Sequence, residues 1–160
     1  MKTRILFVCL GNICRSPAAE EIFRTLAARK SLSDRFEADS AGTYAGHAGE
    51  LPDPRMRRAA ARRGYELTHR ARPLREADFE RFDRIVVMDD CNYEAAHRLA
   101  PSRELAGKIH RMTEFCRHTP QWDHVPDPYY EGHEGFERVL DLLEDACAGL
   151  LDDLRNPDRS

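Results

Sequence analysis

The sequence predicts an α/β fold, a single three-layer domain in which a four-stranded parallel sheet carries helices on both faces. Three observations point there. Short apolar runs rich in β-branched residues alternate with segments whose apolar residues recur at helical spacing. The last segment bears a long apolar stripe, Phe136, Val139, Leu140, Leu143, Cys147, Leu150, Leu151 and Leu154, which a sheet must cover. Between the first strand and the first helix stands Cys9-Leu10-Gly11-Asn12-Ile13-Cys14-Arg15-Ser16-Pro17, where an open parallel sheet receives its ligand.

Ile5-Leu6-Phe7-Val8 is the first strand. Ala19, Ile22, Phe23, Leu26 and Ala27 form the buried face of the next helix, whose first turn Pro17 suits. Phe36 to Ser40 is the second strand, ended by Ala41-Gly42. Pro54 opens a helix through Arg63, and Gly64 closes it. A short helix covers Arg75 to Phe82. Arg84-Ile85-Val86-Val87-Met88 is the third strand, and a helix near Cys91 to Leu99 ends before Pro101. Lys108 to Met112 is the fourth strand. No repeat, linker or low-complexity segment breaks the series, so residues 1–160 read as one domain. A chain of this length buries most of the surface that it exposes when unfolded.

Composition narrows the function classes. No apolar run approaches the ~20 residues that a bilayer needs, and no signal-like segment leads the chain, so no membrane partner is expected. Five cysteines, an odd number without scaffold spacing, predict free thiols in a reducing compartment, so the cytoplasm is the expected location, and a monomer is the default state. The net charge of −3 hides an asymmetry. Arg55, Arg57, Arg58, Arg62, Arg63, Arg70 and Arg72 crowd a stretch whose one acid is Glu66, while Glu134, Glu137, Asp141, Glu144, Asp145, Asp152 and Asp153 load the C-terminal segment. The basic stretch reads as a solvated helix face, with attraction of acidic or phosphorylated partners as the alternative. It carries neither interleaved aromatics nor a nucleic-acid motif, so no nucleic-acid partner is expected.

The strand–loop–helix arrangement around Cys9 aims backbone N–H groups and a helix N-terminus at one small volume, a nest for an anion of phosphate size. Leu10, Gly11, Asn12, Ile13, Cys14 and Ser16 supply that nest, and Asn12 tolerates the left-handed backbone that a tight loop requires. The positive field favours the Cys9 thiolate. Arg15 brings a planar fork able to hold two phosphate oxygens. A nucleophile facing a phosphate clamp implies phosphoryl transfer through a cysteinyl-phosphate. No metal ligand set is predicted, since His110, Cys116, His118 and His124 match no zinc spacing. No cofactor is predicted either, because the loop lacks the Gly-Lys-Ser/Thr of a nucleotide-binding P-loop.

Cys-x-x-x-x-x-Arg-Ser, with Gly11-Asn12 inside it and Cys14 before the Arg, resembles the phosphate loop of the low-molecular-weight protein tyrosine phosphatases. Val125-Pro126-Asp127-Pro128-Tyr129-Tyr130 resembles the acid loop of the same family. Taken alone, Asp-Pro is an ordinary turn. The resemblance implies that Asp127 protonates the leaving oxygen and then deprotonates the hydrolytic water. It also implies that Ser40 and His69 brace the loop through Asn12 and Ser16, that Asp89 supports the active face, and that Cys14 is a redox partner for Cys9. Many bacterial relatives carry a Trp where this chain has Gly46, so Tyr44 is the expected aromatic wall there, with Tyr129 or Tyr130 opposite. The implied substrate is a tyrosine-phosphorylated protein, a tyrosine kinase of the same cell among the candidates. A thioredoxin-coupled arsenate reductase of similar fold is the alternative, and it would need a thiol relay for which Cys91 and Cys116 lie far apart in sequence.

Overall fold

The computed structural model of the chain describes residues 2–119 and 121–156. Its middle layer is a sheet of four parallel strands, β1 (Thr3–Cys9), β2 (Phe36–Gly42), β3 (Arg84–Val87) and β4 (Ile109–Arg111), in the order β2-β1-β3-β4. The helices are α1 (Arg15–Arg29), α2 (Pro54–Ala61), α3 (Glu76–Arg81), α4 (Asp90–Leu99), α5 (Arg103–Ala106) and α6 (His133–Arg155).

Side chains of β1 alternate between the two layers, as the period of a strand dictates. Ile5 and Phe7 enter a cluster with Phe23, Phe136, Val139 and Leu143, while Leu6 and Val8 enter another with Phe79, Phe82 and Ala96. The ring of Phe23 sits between those of Phe7 and Phe36, 5.9 and 5.8 Å from them. Coverage on both faces is why β1 reads as an unbroken apolar run. Each such side chain contributes roughly 1.5–3 kcal/mol by leaving water.

Strand order places the site. The chain leaves β1 for β2 on one side and later returns to β3 on the other, so the C-terminal end of β1 is where the order reverses and a crevice opens. Cys9 lies opposite Gly42 at that end. A Cβ on Gly42 would come within 2.7 Å of the Leu10 carbonyl oxygen, so glycine there lets β2 lie against the loop.

The two charged segments meet. Arg63 reaches Glu137, Asp141 and Glu144 of α6, and the Tyr65 hydroxyl donates to Glu144 at 2.6 Å. The basic stretch is therefore partly a clamp between α2 and α6 rather than a wholly solvated face. Boundaries shift where backbone pairing outruns the apolar pattern. β1 starts at Thr3 because Thr3 pairs with Phe36. α2 stops at Ala61, and Gly64 at φ +90° completes the turn. α5 and a 3₁₀ turn over Met112–Phe115 have four residues each, too few to show a period. Among the described residues no helix is long and apolar enough to cross a membrane.

Candidate active site

Cys9 ends β1 and α1 begins at Arg15, so residues 10–14 must curl back over the thiol. Asn12 sits at φ +58° in the left-handed region, which bends the loop. Among the described residues the backbone N–H groups of Gly11, Asn12, Ile13 and Cys14 have no acceptor within the protein and are left to donate. The Asp53 N–H donates to the Ile13 carbonyl at 2.7 Å, tying the loop to the start of α2.

Asn12 fixes the loop from behind. Its Nδ2 donates to Ser16 Oγ at 2.7 Å and to Ser40 Oγ at 3.0 Å. Its Oδ1 accepts from the Arg72 N–H at 3.0 Å and faces His69 Nε2 at 2.9 Å. Every polar site of the amide is thus used, which sets its orientation. Ser16 Oγ, which accepts from Asn12, lies 3.0 Å from Cys9 Sγ and donates to that sulfur once the thiol is ionised, with the Ala41 carbonyl at 3.5 Å as its other acceptor, and the Ser16 N–H lies 3.5 Å from the same sulfur. Ser40 likewise donates to Glu20 Oε1 at 2.8 Å.

Glu20 lies four residues after Ser16 on the buried face of α1, paired with Arg24 at 2.5 Å and within 3.3 Å of His69 Nδ1. Burial pushes its carboxyl up to about 7, and burial pulls the His69 imidazole down. The folded protein therefore holds a proton on Glu20 between its ordinary value of 4.5 and about 7, where the unfolded chain has released it. Stability falls as pH rises through that window. Glu20→Gln, which keeps an acceptor for Ser40, is expected to flatten the decline in melting temperature between pH 5 and 7. An unchanged slope would assign that proton elsewhere.

Arg15 is 2% exposed. Its Nη1 donates to Asp89 Oδ2 at 2.7 Å and to the Val125 carbonyl at 3.0 Å, and its Nη2 lies 3.6 Å from Asp127 Oδ2. Asp89 has a second task, accepting from the Asn92 N–H to cap α4. Asp127 accepts from the Tyr129 N–H at 3.1 Å, which holds its carboxylate over the mouth of the site. Below it lies a cleft of about 240 Å³ with Cys9, Cys14 and Arg15 at its base and Tyr44, Asp127, Tyr129 and Tyr130 at its walls. A Cβ on Gly46 would fall 2.1 Å from Tyr44 Cζ, so the Tyr44 ring fills the space that a side chain at position 46 would take.

The structure thus gathers the residues that sequence reasoning singles out. Cys9, Leu10, Gly11, Ile13, Cys14, Arg15 and Asp127 line the cleft with the three tyrosines, while Asn12, Ser16, Ser40 and His69 stand behind the loop. Sequence reasoning missed Glu20, whose signal was an acid on the apolar face of α1, and His47, which lines the cleft beside the Tyr44 ring. Of the two thiols that a relay would need, Cys91 is exposed in the first turn of α4 and Cys116 is buried.

A family model described as "Low molecular weight phosphotyrosine protein phosphatase" matches residues 4–159. A low molecular weight protein-tyrosine-phosphatase of Streptomyces coelicolor is 43% identical over 152 residues, 94% of this chain and 93% of that protein. The low molecular weight protein-tyrosine-phosphatase YfkJ of Bacillus subtilis is 40% identical over 148 residues, 92% of each. A solved protein tyrosine phosphatase from Entamoeba histolytica superposes with a TM-score of 0.95 at 42% identity, covering 98% of this chain and 99% of that one.

Proposed function

The chain belongs to the low molecular weight phosphotyrosine protein phosphatase family and is a protein tyrosine phosphatase that works through a cysteine nucleophile and needs no metal, and we propose that Cys9 is that nucleophile, Arg15 the phosphate clamp and Asp127 the general acid and base. The observation that carries this reading is the Cys9 sulfur beneath the cleft, facing Ser16 Oγ at 3.0 Å, with Arg15 beside it and Asp127 at the rim.

The phosphate oxygens bind the free N–H groups of the loop and the Arg15 fork. The Cys9 thiolate attacks phosphorus as the bond to the tyrosyl oxygen breaks. That oxygen takes the electron pair and a proton from Asp127. Water, giving its proton back to Asp127, then attacks phosphorus, and the P–S bond breaks with its pair returning to Sγ. The Ser16 hydroxyl donates to that sulfur and eases its departure. Asn12, Ser40, His69 and Asp89 position these groups. Tyr44, Tyr129 and Tyr130 give a slot whose depth suits phosphotyrosine rather than the shorter phosphoserine.

The substrate is a tyrosine-phosphorylated protein, a tyrosine kinase of the same cell among the candidates, met by a monomeric single-domain enzyme in the cytoplasm. Five free cysteines support the reducing compartment. Hydrolysis of phenyl phosphate in the presence of a chelator tests the chemistry.

Redox control follows from Cys14, which is buried against the cleft, and burial pushes its thiol well up so that it stays protonated at rest. Peroxide oxidises the Cys9 thiolate to sulfenic acid, and the Cys14 thiol then displaces water to form a disulfide. After a peroxide pulse and dithiol treatment, wild type is expected to recover its own starting rate and Cys14→Ser to stay largely inactive. Equal recovery would mean that another thiol protects Cys9.

A further inference from the structure

Beside the catalytic cleft lies a second one of about 300 Å³, lined by Arg55, Arg58, Arg62, Glu131, His133 and Phe136. The three arginines fall at i, i+3 and i+7 and so share one face of α2 and its C-cap. Their neutralisation is unequal. Arg55 is held by Asp53 through two hydrogen bonds of 3.1 and 2.8 Å. Arg62 reaches Glu137 only at 3.5 Å, and that carboxylate is already taken by Arg63 at 2.8 Å. Among the described residues Arg58 has no acidic partner, although its side chain is exposed at the cleft. Elsewhere in the basic stretch Arg63 is committed to α6 and Arg72 to Asp39 and Asp78, while Arg57 and Arg70, which have no acidic partner among the described residues, do not line the cleft. Against Glu131 on the rim, the cleft keeps an excess of positive charge.

The two clefts share a wall. The Arg55 guanidinium lies 5.3 Å from the centre of the Tyr129 ring and 4.9 Å from that of Phe136, and Tyr129 lines the catalytic cleft from its other side. An extended chain advances roughly 3.3–3.6 Å per residue. A polypeptide with its phosphotyrosine over Cys9 can thus cross the Tyr129 ring and set a side chain a few residues away among the arginines.

We infer that the Arg55–Arg58–Arg62 cleft is a second anion subsite, which takes a carboxylate or phosphate borne by a residue flanking phosphotyrosine in the substrate. This rests on phosphotyrosine being the occupant of the catalytic cleft. The gain in specificity is on the scale of one partly exposed ion pair, about fivefold in kcat/KM, and it shrinks as added salt shortens the screening length.

The test compares three phosphotyrosine peptides that differ only in the flank, carrying Glu, Gln or phosphoserine, with phenyl phosphate as a substrate too small to reach the arginines. Wild type is expected to favour the Glu and phosphoserine peptides over the Gln peptide about fivefold at low salt. Arg58→Glu is expected to lose or reverse that preference while turning over phenyl phosphate like wild type, and Arg62→Gln to reduce the preference. A larger gain with phosphoserine than with Glu names phosphate as the ligand, and the reverse names carboxylate. Equal use of all three peptides by wild type, or a preference that survives Arg58→Glu, overturns the subsite. Failure of wild type to hydrolyse phenyl phosphate would count against the phosphatase chemistry instead, so the two ideas fail separately.

Discussion

Cys9→Ser is expected to lower turnover of an aryl phosphate by about 10⁶-fold, the scale of removing the nucleophile from a covalent mechanism, while inorganic phosphate still binds. A serine hydroxyl is almost the size of the thiol but stays protonated near neutral pH, so no anion faces phosphorus. The anion site does not depend on the sulfur. Its donors are the unpaired N–H groups of residues 11–14 and an arginine held from behind by Asp89 and the Val125 carbonyl. Arg15→Ala is expected to lose both turnover and phosphate binding, because it removes a buried cation and leaves Asp89 and Asp127 facing the dianion. Steady-state rates and calorimetric titration with phosphate separate the two cases. Appreciable activity in Cys9→Ser would remove Cys9 from the role of nucleophile.

That separation between the reacting sulfur and the scaffold that aims at it explains what the sequence disclosed. The scaffold is local, a buried strand, a loop with Asn at a left-handed position and a helix, so Cys9 to Arg15 could be read from consecutive residues. Partners such as Ser40 and His69 come from distant segments, and only their resemblance to a known family pointed to them. Glu20 stayed hidden because one acid among the apolar positions of α1 leaves no periodic trace, and what it serves becomes visible once Ser40, His69 and Arg24 surround it. The basic stretch was legible as charge alone. Whether each arginine pairs with an acid depends on how α2 meets α6, and that splits one run of arginines into a clamp at Arg63 and an unpaired edge at Arg58.

Asp127→Asn carries the other large expected effect, and it depends on the leaving group. In the free protein Asp127 is 41% exposed in its side chain, bound by one oxygen to the Tyr129 N–H and facing Arg15 with the other at 3.6 Å. An amide keeps the contact with Tyr129, so the loop holds its place and only the transferable proton is lost. A phenol such as tyrosine has a pKa near 10 and leaves badly as an anion, so it needs that proton in the transition state. A nitrophenol leaves readily without it. Because the same side chain would also activate water in the second step, kcat mixes two effects. The ratio kcat/KM reports only events up to the first irreversible step and isolates the acid role. Asp127→Asn is expected to lower kcat/KM for phenyl and tyrosyl phosphates by about 10²–10⁴-fold and for activated nitrophenyl esters far less. The slope of log kcat/KM against leaving-group pKa should therefore steepen in the variant. Parallel lines for the two proteins would show that Asp127 shapes the loop and donates no proton.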